Sequence, residues 1–188
     1  MDAEIIIVSG LPRSGTSLVM QMLYAGGMPV LTDRVRTPDQ DNPRGYLEWE
    51  PVKRLRQEPL RILEAEDKVV KVVSPLLTSL PLGHPCRVIF LLRPLQQILT
   101  SQAEMMRRRS ATAPHPAESV LHAYQKHIQD VFAWMERQTQ LAVLTVQFEK
   151  LLGDPASQAE RMRRFVDLNL DLEAMIRAVD PSLHHQHS

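Results

Sequence analysis

The apolar run Ile5-Ile6-Ile7-Val8 leads through Ser9 into Gly10-Leu11-Pro12-Arg13-Ser14-Gly15-Thr16-Ser17, and a helical pattern follows to Ala25. No other feature constrains the fold as much. A strand with no polar face is covered on both sides, as in a parallel sheet. A glycine-bounded loop between such a strand and a helix lets several backbone N–H groups converge. The helix N-terminus adds about half a positive charge, so a phosphate or sulfate group is favoured there. Pro12, Arg13, Ser14, Gly15, Thr16 and Ser17 are thus candidate anion-binding residues, with the Thr16 and Ser17 hydroxyls as further donors.

The same alternation runs along the chain. Strands are predicted over 4–9, 69–73, 87–92 and 141–146, with interiors mostly of Val, Ile, Leu and Phe. Helices are predicted over 15–25, over 51–66 with a kink or break at Pro59, and from Pro94 to about Arg109. A further helix after His115 carries Val120, Leu121, Tyr124, Ile128, Val131, Phe132 and Met135 as one apolar stripe. Two more follow, around Ala159 to Val166 and from near Asp171. The expected fold class is a three-layer α/β/α domain with a mostly parallel central sheet, and the 188 residues fit a single domain. Ser110 to Pro116 is the predicted mobile loop.

Composition narrows the function. Twenty-two basic residues balance twenty-two acidic ones, so there is no overall field for nucleic acid or an anionic membrane, and bound anions need a local site. No apolar run approaches the ~20 residues of a membrane span. No basic, signal-like segment precedes the first strand. The single cysteine, Cys86, cannot form an internal disulfide. The expectation is a cytoplasmic protein without membrane or nucleic-acid partners; a homo-oligomer is compatible with the sequence.

The loop departs from that of nucleoside triphosphatases, because Thr16 stands where a lysine follows the second glycine, leaving Arg13 to supply charge. No apolar strand ends in an aspartate suited to Mg²⁺, since two central strands end in Val73-Ser74 and Leu92-Arg93. No metal site is expected. Arg93 lies at a strand's carboxyl end, where open α/β sheets bind ligands. Ser101, about two helical turns beyond Pro94, faces the same side as the helix start. Arg93 and Ser101 are candidates for gripping a second phosphate, or else a salt-bridged arginine and a self-bonded serine.

Read together, these sites resemble the sulfotransferase family. Pro12 to Leu18 is similar to its loop for the 5′-phosphosulfate, with arginine in the loop as in the branch acting on protein tyrosines. Arg93 through Ser101 resembles its 3′-phosphate site. Val70-Lys71-Val72-Val73-Ser74-Pro75 resembles the strand whose lysine approaches the reaction centre, and Val146 to Pro155 a strand-to-helix segment near the nucleotide. The resemblance implies a P-loop-like fold and a donor, 3′-phosphoadenosine 5′-phosphosulfate (PAPS), that leaves adenosine 3′,5′-bisphosphate (PAP) without a metal. It further implies an acceptor hydroxyl or amine on a small molecule or conjugate, with Arg13 and Lys71 acting on the transferring group.

Two departures stand out. Val73 occupies the place of the histidine base of the cytosolic small-molecule branch, and that branch's C-terminal glycine-and-lysine motif is absent. The protein-tyrosine branch uses a glutamate shortly after the first helix; Asp33 is the nearest acidic residue and is slightly favoured as base over Glu48. The long polar stretch from Thr32 to Glu50, with Asp39, Asp41 and Asn42-Pro43-Arg44-Gly45-Tyr46, suits an acceptor-binding segment or lid. Tyr46 and Trp49 either line an acceptor pocket or anchor that loop. Arg107 to Arg109 complement a helix dipole. His122 and His127 do not share a face, and His184, His185 and His187 belong to a tail. A nucleotide or small-molecule kinase and a noncatalytic nucleotide-binding module are the competing readings.

Overall fold

The computed structural model describes residues 4–33, 35, 45–81, 83–108 and 117–179. Four strands, β1 (Ile5–Gly10), β2 (Val69–Val73), β3 (Cys86–Leu92) and β4 (Leu141–Gln147), form a parallel sheet in the order β2-β1-β3-β4. Chain order runs outward from β1 in both directions, which opens a crevice at the carboxyl ends beside it, where such sheets bind ligands. The loop 10–15 lies there, with Gly10 opposite Val73 of β2 and Leu91 of β3.

Strand alternation sends β1 into two cores. Ile6 and Val8 pack with α1 (Thr16–Ala25), α4 (Phe148–Gly153), α5 (Pro155–Val166) and α6 (Leu172–Arg177). Ile5 and Ile7 pack on the other face with short 3-10 segments and α3 (Ala117–Met135), whose Val131 and Met135 are buried. α2 (Leu95–Arg108) lies against α3 and buries Ile98 and Ser101. All three layers of the expected α/β/α fold are present.

The region 51–66 differs from its prediction. Instead of a kinked α-helix it forms 3-10 segments at Glu50–Arg54 and Pro59–Ala65. Pro51 and Pro59 each stand in a first turn, where the missing N–H is tolerated but the preceding turn cannot continue. The stretch expected as a strand-to-helix segment holds the short α4, which ends at Gly153; the Asp154 carboxylate then caps α5 by accepting from the Ser157 N–H at 3.0 Å. Asp171 caps α6 in the same way through Ala174. β4 forms an edge, and the Arg161 guanidinium donates to its Thr145 carbonyl at 3.2 Å, blunting the edge toward further strands.

Candidate functional site

Glycines set the shape of the loop. Gly15 has φ +103°, and a Cβ there would lie 2.4 Å from the Phe148 ring; one on Gly10 would lie 2.5 Å from the Ser14 hydroxyl. Arg13 takes φ 70° without being glycine, a strained backbone of a kind that clusters at ligand clamps. α1 begins at Thr16 with no side-chain cap. Ser14 is fully buried and its hydroxyl has no partner among the described residues. Unused N–H donors at a helix start and a buried orphan hydroxyl in the same turn are what an anion would satisfy. Pro12 is exposed and Thr16 buried.

The second predicted cluster meets the first. Arg13 Nε donates to Ser101 Oγ at 2.9 Å, and Arg93 Nη1 donates to the Arg13 carbonyl at 3.1 Å. Arg93 Nε also donates to Gln97, whose amide reaches Glu149, and the guanidinium lies 4.5 Å from the Phe148 ring centroid. Burial, then the charge of Arg13, holds Arg93 below the usual arginine value, while Glu149 acts in the opposite sense. Two guanidinium groups side by side repel, and an anion between them relieves that repulsion. A cavity of about 530 Å³ opens beside them, lined in part by Leu11, Arg93, Ile98, Ile128, Gln147 and Phe148.

Lys71 lies at the carboxyl half of β2 and is only 8% exposed. Its ammonium donates to Ser17 Oγ at 3.0 Å and to the Tyr46 carbonyl at 3.2 Å, and pairs with Glu48 Oε1 at 2.8 Å. Glu48 thus meets Lys71, which in turn bonds Ser17 of the anion loop. The exposed Asp33 sits differently: its carboxylate accepts from the Glu50 N–H at 2.6 Å and the Val35 N–H at 3.0 Å. The Asp33 N–H and the Thr32 hydroxyl both donate to the Glu48 carbonyl, at 3.3 and 2.9 Å. Asp33 therefore holds the backbone that carries Glu48. Tyr46 and Trp49 are 4% and 7% exposed, which makes them anchors of that segment. Asp39, Asp41, Asn42 to Arg44, Arg109, Ser110 to Pro116 and the terminal histidines lie outside the described residues.

Sequence reasoning missed Gln97 beside Arg93; Phe148 and Glu149 fall within the segment 146–155 expected near the nucleotide, but no role was assigned to either. It also missed the fully buried Ser74, whose Oγ lies 2.9 Å from His127 Nε2 of α3. Burial lowers the His127 pKa, with Asp130 opposing. Ser74 follows Val73 directly, but its partner lies fifty-three residues away on another element.

The fold itself has known relatives. In structure the chain is similar to mouse sulfotransferase SULT7A1 complexed with PAP, with TM-score 0.58 and 14% identity over 100% of this chain and 67% of that one. It is also similar to the sulfotransferase domain from the curacin biosynthetic pathway, with TM-score 0.54 and 12% identity over 95% and 78%. At such identities the likeness speaks for the fold alone. No curated protein matches in sequence. The family model described as the sulfotransferase domain matches residues 3–185. With nearly its whole length matched by that model, and with that fold, the chain belongs to the sulfotransferase domain family.

Proposed function

We propose that this single-domain protein transfers a sulfuryl group from PAPS to a hydroxyl or amine of a small-molecule or conjugate acceptor, releasing PAP. One observation carries the reading: Arg13 reaches Ser101 and Arg93 reaches the Arg13 carbonyl beside an uncapped helix start, which suits two adjoining anion sites of the kind a 3′,5′-bisphosphorylated nucleotide needs. The residues fit that ligand, because among the described residues the buried Ser14 hydroxyl has no partner, and the charge of Arg13 acts on the partly buried Arg93. The PAP bound in the mouse neighbour supports the same reading. A free, buried Cys86, whose thiol burial raises to about 11, suits a cytoplasmic protein with an inert thiol.

The roles follow from position. PAPS supplies an activated sulfuryl group whose departure leaves charge on a phosphate oxygen. Arg93 and Ser101 hold the 3′-phosphate, while Pro12 to Ser17 hold the 5′ end through loop N–H groups, hydroxyls and Arg13. Lys71, joined to the loop by Ser17, offers positive charge where the leaving oxygen becomes anionic. Glu48 accepts the acceptor's proton, and Asp33 positions Glu48.

Arg93→Ala tests the nucleotide assignment. A charged hydrogen bond is worth about 1.5–3 kcal/mol, so calorimetry should show PAP weakened about tenfold or more while ADP, lacking the 3′-phosphate, barely changes. Equal losses for both would refute the 3′-phosphate role. Asp33→Ala should reduce turnover by roughly tenfold, the loss of about one hydrogen bond in the Glu48 support. Asp33→Asn should keep most activity, because an amide oxygen still accepts from the Glu50 N–H. A loss of a hundredfold in both variants, with PAP affinity intact, would return Asp33 to the role of base.

A further inference from the structure

We propose that Glu48 is a placeholder anion on Lys71, displaced when the sulfuryl donor binds, so that the proton-accepting carboxylate is set free only in donor-loaded enzyme. This inference rests on the function proposed above.

An ammonium has three N–H donors, and among the described residues that of Lys71 meets Ser17 Oγ, the Tyr46 carbonyl and Glu48 Oε1. To engage a donor oxygen, Lys71 must give up one of them. At 8% exposure it has no room to turn to solvent instead. Ser17 belongs to the anion loop and the Tyr46 carbonyl to the backbone of a buried residue, so neither leaves easily. Of these three acceptors Glu48 is the charged one, and its side chain is 27% exposed.

Its backbone is fixed at the same time. Thr32 and Asp33 both donate to the Glu48 carbonyl, and Gln21 of α1 donates to the Gly45 carbonyl at 2.9 Å. What can move is therefore the carboxylate, about its own side-chain bonds, and it stays near Lys71 when it moves. A buried lysine needs a counter-charge, which Glu48 provides until an anionic donor arrives. Two anions competing for one partly desolvated ammonium repel each other, so the donor's entry pushes the carboxylate off.

The chemical consequence concerns the base. A carboxylate paired with an ammonium holds a proton poorly; turning Lys71 to the donor weakens that pairing. In the transfer step the acceptor oxygen or nitrogen forms its bond to sulfur. The bond from sulfur to the bridging oxygen breaks with its electron pair left on the phosphate, and the acceptor's proton passes to Glu48. Without donor, Glu48 stays masked, so acceptor activation and donor loading are coupled through one side chain.

Isothermal titration of PAPS and of PAP, without acceptor, into the wild type, Glu48→Gln, Lys71→Met and the double variant tests this. Removing the competing charge should tighten PAPS in Glu48→Gln by about fivefold or more, the low end of typical site coupling. PAP, which lacks the sulfuryl group, should gain less. In the Lys71→Met background, Glu48→Gln should give no gain. Glu48→Asp, with a shorter reach to Lys71, should fall between wild type and Glu48→Gln and serves if the amide variant does not fold. Unchanged or weaker PAPS binding in Glu48→Gln, or a gain that persists without Lys71, overturns the exchange while leaving the proposed function standing. A wild type that binds neither ligand overturns both.

Discussion

Lys71→Met should lower sulfuryl transfer by about a hundredfold to a thousandfold, the range seen when one preorganised donor is removed from developing charge. Methionine keeps the length and apolar stem of a side chain lodged in β2 between the fully buried Val70 and Val72, so the sheet has little reason to change. What is lost is the positive charge that Ser17 ties to the anion loop. Such a charge speeds the reaction only if its interaction strengthens in the transition state. The turnover loss should therefore exceed any loss of PAP affinity. Full turnover in the variant would make Lys71 a structural charge.

Glu48→Gln should reduce turnover by at least about a hundredfold, the lower range of general-base help. The amide is isosteric and its oxygen can still accept from the Lys71 ammonium, so the Lys71 site stays intact. It cannot take a proton from the acceptor. Nucleotide binding must survive, which separates this result from unfolding. If rate and binding were both retained, the base would lie elsewhere, and His127 beside Ser74 would be the next group to replace.

The setting of the loop is legible in the sequence for a physical reason. A strand, its loop and the following helix are local, and residues 5–25 carry the whole arrangement in consecutive positions. Arg93 and Ser101 are close in sequence, but in the fold it is Arg13 that links them, bonding Ser101 through its side chain and Arg93 through its carbonyl. Other features are set by contacts across the chain. Asp33 lies nearer the first helix than Glu48, yet Lys71 meets Glu48, because Thr32 and Asp33 bond to the Glu48 carbonyl and turn that segment inward. His127 reads as one member of an amphipathic helix, and only packing against the segment after β2 gives it Ser74. The pattern over 51–66 allowed a helix with one break, but a second proline and the short lengths on either side of Pro59 favoured 3-10 turns.

The central claim is that two adjoining anion sites hold a 3′,5′-bisphosphorylated adenosine, and calorimetry on the wild-type protein addresses it most directly. PAP is titrated in the presence of a chelator and compared with ADP under the same conditions and with ATP plus Mg²⁺. The account predicts that PAP binds without metal and about tenfold or more tightly than ADP, the worth of a single charged hydrogen bond to the 3′-phosphate. Equal affinity for PAP and ADP, or tight binding of ATP only when Mg²⁺ is present, would contradict it and favour a nucleotide kinase on the same fold.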